Sequence, residues 1–184
     1  MFQIEATRFW WVLDDGKDDP TDQCLHGHVQ VQIGDETLED DCTVSSTGLL
    51  LLRTLTEDHI ELNVMGNQML PNHGFNLFAA DDTLQAVFLD GDPYGTDWAV
   101  RHDGNMIELE TMNGTVERVP FTSYRKQVLQ FVDKVEAYYR SCLPKVIPEE
   151  EWNRDGWPAF WNEWHRRREQ AKKKVKSEVL FSPP

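Results

Sequence analysis

Over residues 124–142 the side chains of Tyr124, Val128, Phe131, Val132, Val135, Tyr138, Tyr139 and Cys142 recur at three- and four-residue steps. That spacing draws one apolar stripe along a helix and leaves Arg125, Lys126, Gln130, Asp133, Lys134 and Glu136 for its other faces. A helix so marked has to cover an apolar surface, and the alternating segments before it have the period of strands. The chain therefore predicts an α+β fold: a mainly antiparallel sheet in a meander, one early helix, and two C-terminal helices packed on one face.

In chain order, residues 2–13 alternate apolar and polar with one slip at 7–9, the signature of a bulge or bend. Residues 14–23 hold five Asp with a Gly and a Pro and no apolar period, which predicts a loop. His26, His28, Gln30 and Gln32 alternate with Val29, Val31 and Ile33 as in a half-buried strand, and Gly34-Asp35 turns it toward an acidic partner at 36–41. A helix follows from Ser45 and Ser46 to Leu55, with a serine or threonine cap expected and Gly48 a weak point. Ile60, Leu62 and Val64 alternate briefly.

Further strands are expected at 75–79, 84–89, 98–100, 106–112 and 115–119, the last three joined through Asp103-Gly104 and Asn113-Gly114 as two-residue hairpins. Pro120 opens the striped helix and Leu143-Pro144 stops it. After a connector at 148–156, a last helix from Pro158 carries Trp157, Phe160, Trp161 and Trp164 largely on one side. Past His165 the stripe ends, and fraying or projection is expected. The divisions expected are a core at 1–143, a connector and Trp-rich helix at 144–176, and a flexible tail at 177–184.

With 184 residues, seven Trp and nine Phe, the chain is long and aromatic enough to bury a core. Against 18 Lys and Arg stand 32 Asp and Glu, a formal net charge of -14. Such a field repels nucleic acid and anionic membranes and favours basic partners, and it also serves solubility. The charge is uneven: residues 1–61 carry fourteen acids against Arg8, Lys17 and Arg53, whereas 165–176 carry seven Lys and Arg against Glu169. Cys24, Cys42 and Cys142 form no paired framework and suit a reducing compartment. No secretory signal opens the chain, and the run 49–52 is too short for a bilayer, so a cytoplasmic protein is expected.

The metal candidate is Cys24, His26 and His28, spaced by two so that a strand would turn all three to one face. Thiolate and imidazole suit zinc, with a further ligand from Cys42, His73 or an acid of the 14–22 loop. Polar residues facing water alternate in the same way. Asp90-Gly-Asp92 with Gly95 and Asp97 fails as a calcium loop, because Tyr94 and Arg101 stand where oxygen ligands are required, and reads as a turn. No nucleophile elbow, phosphate loop or His-Glu-x-x-His motif is present. Cys142 reads as a core thiol, and the Trp cluster as a helix clamped to its own domain. Arg166, Arg167, Arg168 and Lys172, Lys173, Lys174 read as a solvated run or a contact with the acidic third of a second copy.

Together these features predict a non-catalytic interaction protein whose acidic surface docks a basic protein partner through Asp14, Asp15, Asp18, Asp19 and Asp22. The analogy, in fold and charge alone, is with bacterial immunity proteins and antitoxins that neutralise basic toxins. Two other readings follow from the same residues. One is a small metal-dependent enzyme using the His26/His28 pair; the other is a homo-oligomer held by the basic C-terminal helix.

Overall fold

The structure, a computed structural model, describes residues 1–72, 76–91 and 93–180, and for 151, 152 and 173–180 the backbone alone. A first meander forms from β1 (Phe2–Trp10), β2 (His26–Ile33) and β3 (Glu36–Cys42), all antiparallel in the order β1-β2-β3. The slip in alternation is a register shift between Ala6 and Arg8. Ile4, Ala6, Val29, Val31 and Ile33 point into the core. The outer face is a polar ladder. His28 bonds Asp41 (2.8 Å), Gln30 bonds Glu39 (3.1 Å), and Thr37 bonds Gln32 (2.7 Å). At the open edge of β1, the Lys134 ammonium donates to the Ala6 carbonyl at 2.6 Å.

A second meander contains β8 (Trp98–Asp103), β9 (Met106–Thr111) and β10 (Val116–Pro120), again antiparallel. Asp103 pairs with Met106, so the first hairpin turns on two residues, with Gly104 at φ +60°. The second departs from expectation: it is a four-residue loop, 112–115, closed by the Gly114 N–H on the Thr111 carbonyl (3.0 Å). Two short ladders, β4 (Leu70–Pro71) with β7 (Gly95–Thr96) and β5 (Asn76–Ala79) with β6 (Val87–Asp90), complete the antiparallel pairings. Residues 60–64 form no strand, and Ile60 and Val64 are exposed.

At the centre lies α1 (Val44–Arg53), in which Val44 through Leu52 are all buried. Leu49, Leu50, Leu51 and Leu52 project around its whole circumference, so it belongs inside rather than on a surface. The expected side-chain cap is absent. Thr43 stands at the N-cap without a side-chain bond, and the Ser45 amide donates instead to the Leu25 carbonyl at 3.3 Å. Gly48 is no weakness: a Cβ there would lie 2.5 Å from the Trp164 ring, so its hydrogen makes room for that indole.

α2 (Phe121–Ser141) carries the predicted stripe. Tyr124, Val128, Phe131, Val132 and Val135 are buried, and the Tyr124 ring lies 4.8 Å from Phe2. The connector contains a short helix, α3 (Glu151–Arg154), and α4 (Gly156–Leu180) follows. The basic stretch neither frays nor projects at its start, and the helix runs to Leu180; residues 181–184 of the expected tail lie outside those described. Arg167 and Ala171 are buried. Arg53 (2.9 Å), the Val87 N–H (2.9 Å) and Arg167 (2.7 Å) all donate to the buried Glu163 carboxylate. Burial pushes this carboxyl up, but the hydrogen bonds and charge of Arg53, then Val87 and Arg167, outweigh it and hold the group down to about 2. Glu136 likewise takes the Trp164 indole N–H (3.2 Å), Arg140 and Arg168.

Two outcomes follow. Gly48→Ala lowers stability by about 1 kcal/mol in urea unfolding despite its helix-propensity gain, because overpacking outweighs it; in a Trp164→Phe background, which lacks the crowded ring atoms, that cost disappears. A depressed carboxyl stabilises the fold above its unfolded value of 4.5 and loses that contribution as pH falls through about 2. The urea midpoint therefore falls across this window, and Glu163→Gln, weaker at neutral pH, shows a shallower decline.

Candidate functional site

The acidic loop 14–23 leaves β1 and returns to β2, and its carboxylates fold it upon itself. Asp22 accepts from the amides of Val12 (2.8 Å) and Cys24 (2.9 Å), bracing the loop's two ends. Asp19 accepts from the N–H (2.9 Å) and hydroxyl (2.7 Å) of Thr21, which hold its carboxyl below the ordinary range. Asp15 is lowered by Lys17, at 3.0 Å. Burial pushes Asp18 up, and the Leu143 amide (2.5 Å) and Lys145 (3.3 Å) more than reverse it, so it too is lowered.

Two of these acids hold a cation against an indole. Asp18 binds Lys145, whose ammonium stands 3.2 Å from the centroid of the Trp11 ring and whose side chain is 2 % exposed. Asp14 binds Arg8 (2.5 Å), whose guanidinium carbon lies 4.8 Å from the Trp10 centroid. The loop thus uses one device twice: a carboxylate beside a tryptophan face, closed by a cation of the same chain.

Beyond the loop opens a cleft of about 820 Å³, lined among others by Trp10, Asp19, Asp22, His26, Asp41 and Cys42. Trp10 and His26 are cross-strand partners with rings stacked at 6.4 Å. Asp41 also lines the cleft, 69 % exposed, with one oxygen on His28. Asn72, Asn76 and Cys24 line it as well.

The expected docking residues are therefore divided. Asp19 and Asp22 face this cleft, Asp18 is a strut under the connector, and Asp14 and Asp15 lie on the exposed turn paired with Arg8 and Lys17. Of the expected metal residues, Cys24 and His26 line the cleft together. Cys24 precedes β2, His26 lines the cleft 3.9 Å from Asp22, and His28 faces Asp41. Cys42 is buried beside Thr47, its thiol pushed up to about 12 by burial. His73 lies outside the described residues. Among those described, no group of three or more His, Cys, Asp or Glu is placed to hold a metal.

A pairing with no sequence signal is His59 with Asp97, 38 residues apart, joined at 2.8 Å and both buried. Asp97 also accepts from the amides of Asn63 (2.8 Å), Met69 (3.1 Å) and Trp98 (3.0 Å), while Nδ1 of His59 lies 3.4 Å from the Asn67 amide. This pair ties the irregular segment 59–69 to β8, and the motif taken for a turn supplies its anchor. Three arginines of α4 also pair within the chain: Arg166 donates to the Gln85 carbonyl (3.0 Å), Arg167 to Glu163 and Glu57, and Arg168 to Asp133 and Glu136.

Compared with known proteins, the chain matches no family model, no curated protein and no solved structure. Among the described residues no helix is long and apolar enough to cross a membrane.

Replacing the Asp18 strut leaves Lys145 desolvated without its counter-charge. Asp18→Asn is expected to cost about 2–3 kcal/mol in urea unfolding and to speed hydrogen exchange at the Leu143 amide. An unchanged exchange rate there would remove the strut from the account.

Proposed function

We propose that the protein is a non-catalytic binding module that docks a basic protein partner in the cleft between the acidic loop and β3. The observation that carries this reading is the cleft itself: Asp19, Asp22 and Asp41 stand around an indole–imidazole stack, in a chain of net charge -14. The grips on Lys145 and Arg8 support it, since the same loop already satisfies cations with carboxylate and indole together. Complementary charge accelerates encounter and fixes orientation. The pairing of Arg167 and Arg168 within their own chain leaves less of the basic helix for a second copy.

The variants that test it are Asp19→Lys with Asp41→Lys, since Asp18 and Asp22 brace the loop and their loss would confuse folding with binding. A short oligolysine peptide is expected to bind the wild type with an affinity that falls as salt rises. The double variant, with unchanged melting, is expected to lose at least ten-fold. Equal binding by wild type and variant at low salt would place the basic surface's counterpart elsewhere.

A further inference from the structure

Where the acidic loop meets the connector lies a second concavity of different chemistry. It is about 400 Å³ in volume, and Tyr139, Leu143, Pro144, Trp157 and Trp161 supply its apolar surface. Tyr139 meets Trp161 at 5.2 Å and 90°, Trp157 meets Trp161 at 5.6 Å and 89°, and Tyr139 meets Trp157 at 5.7 Å, so three mutually packed rings form one side of an open aromatic box. The Tyr139 hydroxyl is spent within the chain, donating to the Gln23 carbonyl (2.8 Å) and accepting from the Leu25 amide (3.0 Å). The charged groups at the margin are partly neutralised, since Arg140 pairs with Glu136. From Leu143, 60 % exposed at the box, the connector continues to Val146 and Ile147 at 55 % and 48 % exposure, an apolar strip beside the most acidic loop of the chain.

Hydrogen bonds between the acidic loop and the connector join the linings of the two concavities. Lys145 lines the aromatic box and donates to the Asp19 carbonyl (2.6 Å), while Asp19 lines the acidic cleft. Val146 donates to the Pro20 carbonyl (2.8 Å), and Gln23 donates to the Val146 carbonyl (3.1 Å). An occupant reaching across this junction meets carboxylates on one side and aromatic faces on the other. Interfaces concentrate their energy in such aromatic pockets and take direction from charges around them.

We infer that the aromatic box is a second subsite of the same docking surface, and that it takes a large apolar side chain carried next to the basic residues of the partner. The inference rests on the reading of the acidic cleft. It narrows the partner from any basic protein to one presenting an amphipathic segment: lysines or arginines toward Asp19 and Asp41, and a phenylalanine- or leucine-like anchor toward Trp157 and Trp161. The charge complementarity selects such a segment over a second copy of this acidic chain.

The test uses the full-length protein and two probes: a short oligolysine peptide, and the same peptide extended through glycine by a phenylalanine amide. Binding is followed by calorimetry and by tryptophan emission. The phenylalanine peptide is expected to bind about ten- to hundred-fold tighter, the range for burying one large apolar side chain. Leu143→Ser, at an exposed position, and Trp157→Ala are each expected to erase that increment and leave oligolysine binding intact. Equal affinity for the two peptides, or an increment that survives both variants, overturns the inference while leaving the acidic cleft standing. Failure of both peptides to bind the wild type defeats the cleft reading and the bridge with it. A wild-type dimer that Leu143→Ser converts to monomer assigns the box to a second copy and overturns the inference.

Discussion

A helix buried on all sides has to be surrounded before it is stable, and α1 imposes that requirement on the whole chain. Val44 through Leu52 touch no solvent worth counting, so every face of α1 calls for a different neighbour. The first meander supplies one: a Cβ on Gly27 would lie 2.6 Å from Val44, which measures how close that approach is. α2 supplies another, with the Tyr124 hydroxyl 2.7 Å from that of Thr54, just past the last turn of α1. Trp164 of α4 fills the space left by Gly48. Such a centre buries aliphatic carbon efficiently, and it leaves backbone donors at the helix start to be satisfied by distant segments, as Leu25 does for Ser45.

The last helix completes this enclosure through charge as much as through aromatic packing. Glu163 and Glu136 are both buried, and between them they gather Arg53, Arg140, Arg167, Arg168 and the Trp164 indole. Dry carboxylates are costly unless fully paired, so each fixes the rotation of α4 as well as its position. Arg167 and Arg168, from the segment that looks like a free pole in the sequence, are thereby consumed in closing the fold.

What could be read from the sequence followed from periodicity. The α+β class, the striped α2, the bulge in β1, the hairpins and the antiparallel pairing were legible because alternation and three-to-four spacing are local. α1 was legible as a helix, but its centrality was not: consecutive leucines have no stripe, and only the assembled neighbours show that all its faces are buried. Arg167 and Arg168 were misleading for a similar reason, since a run of like charge reads as solvated until Glu163 and Glu136 are seen beneath it. Of the candidate site, Asp19, Asp22 and His26 were legible as a dense acidic loop running into an imidazole strand. Trp10, Asp41 and the aromatic box were not, because they come from segments separated by up to more than a hundred residues. The bond between His59 and Asp97 left no local trace at all.

One modest contact has a consequence for the protein's behaviour in crowded solution. A meander with an open first strand offers its unpaired backbone to any passing strand, the usual route to ribbon-like polymers. Here the Lys134 ammonium occupies the Ala6 carbonyl on that edge, with Glu5 beside it at 3.3 Å. An incoming strand would have to displace a charged group from its acceptor and bury that charge. At this position of β1, strand addition is opposed by a side chain that belongs to a helix, outside the sheet it protects.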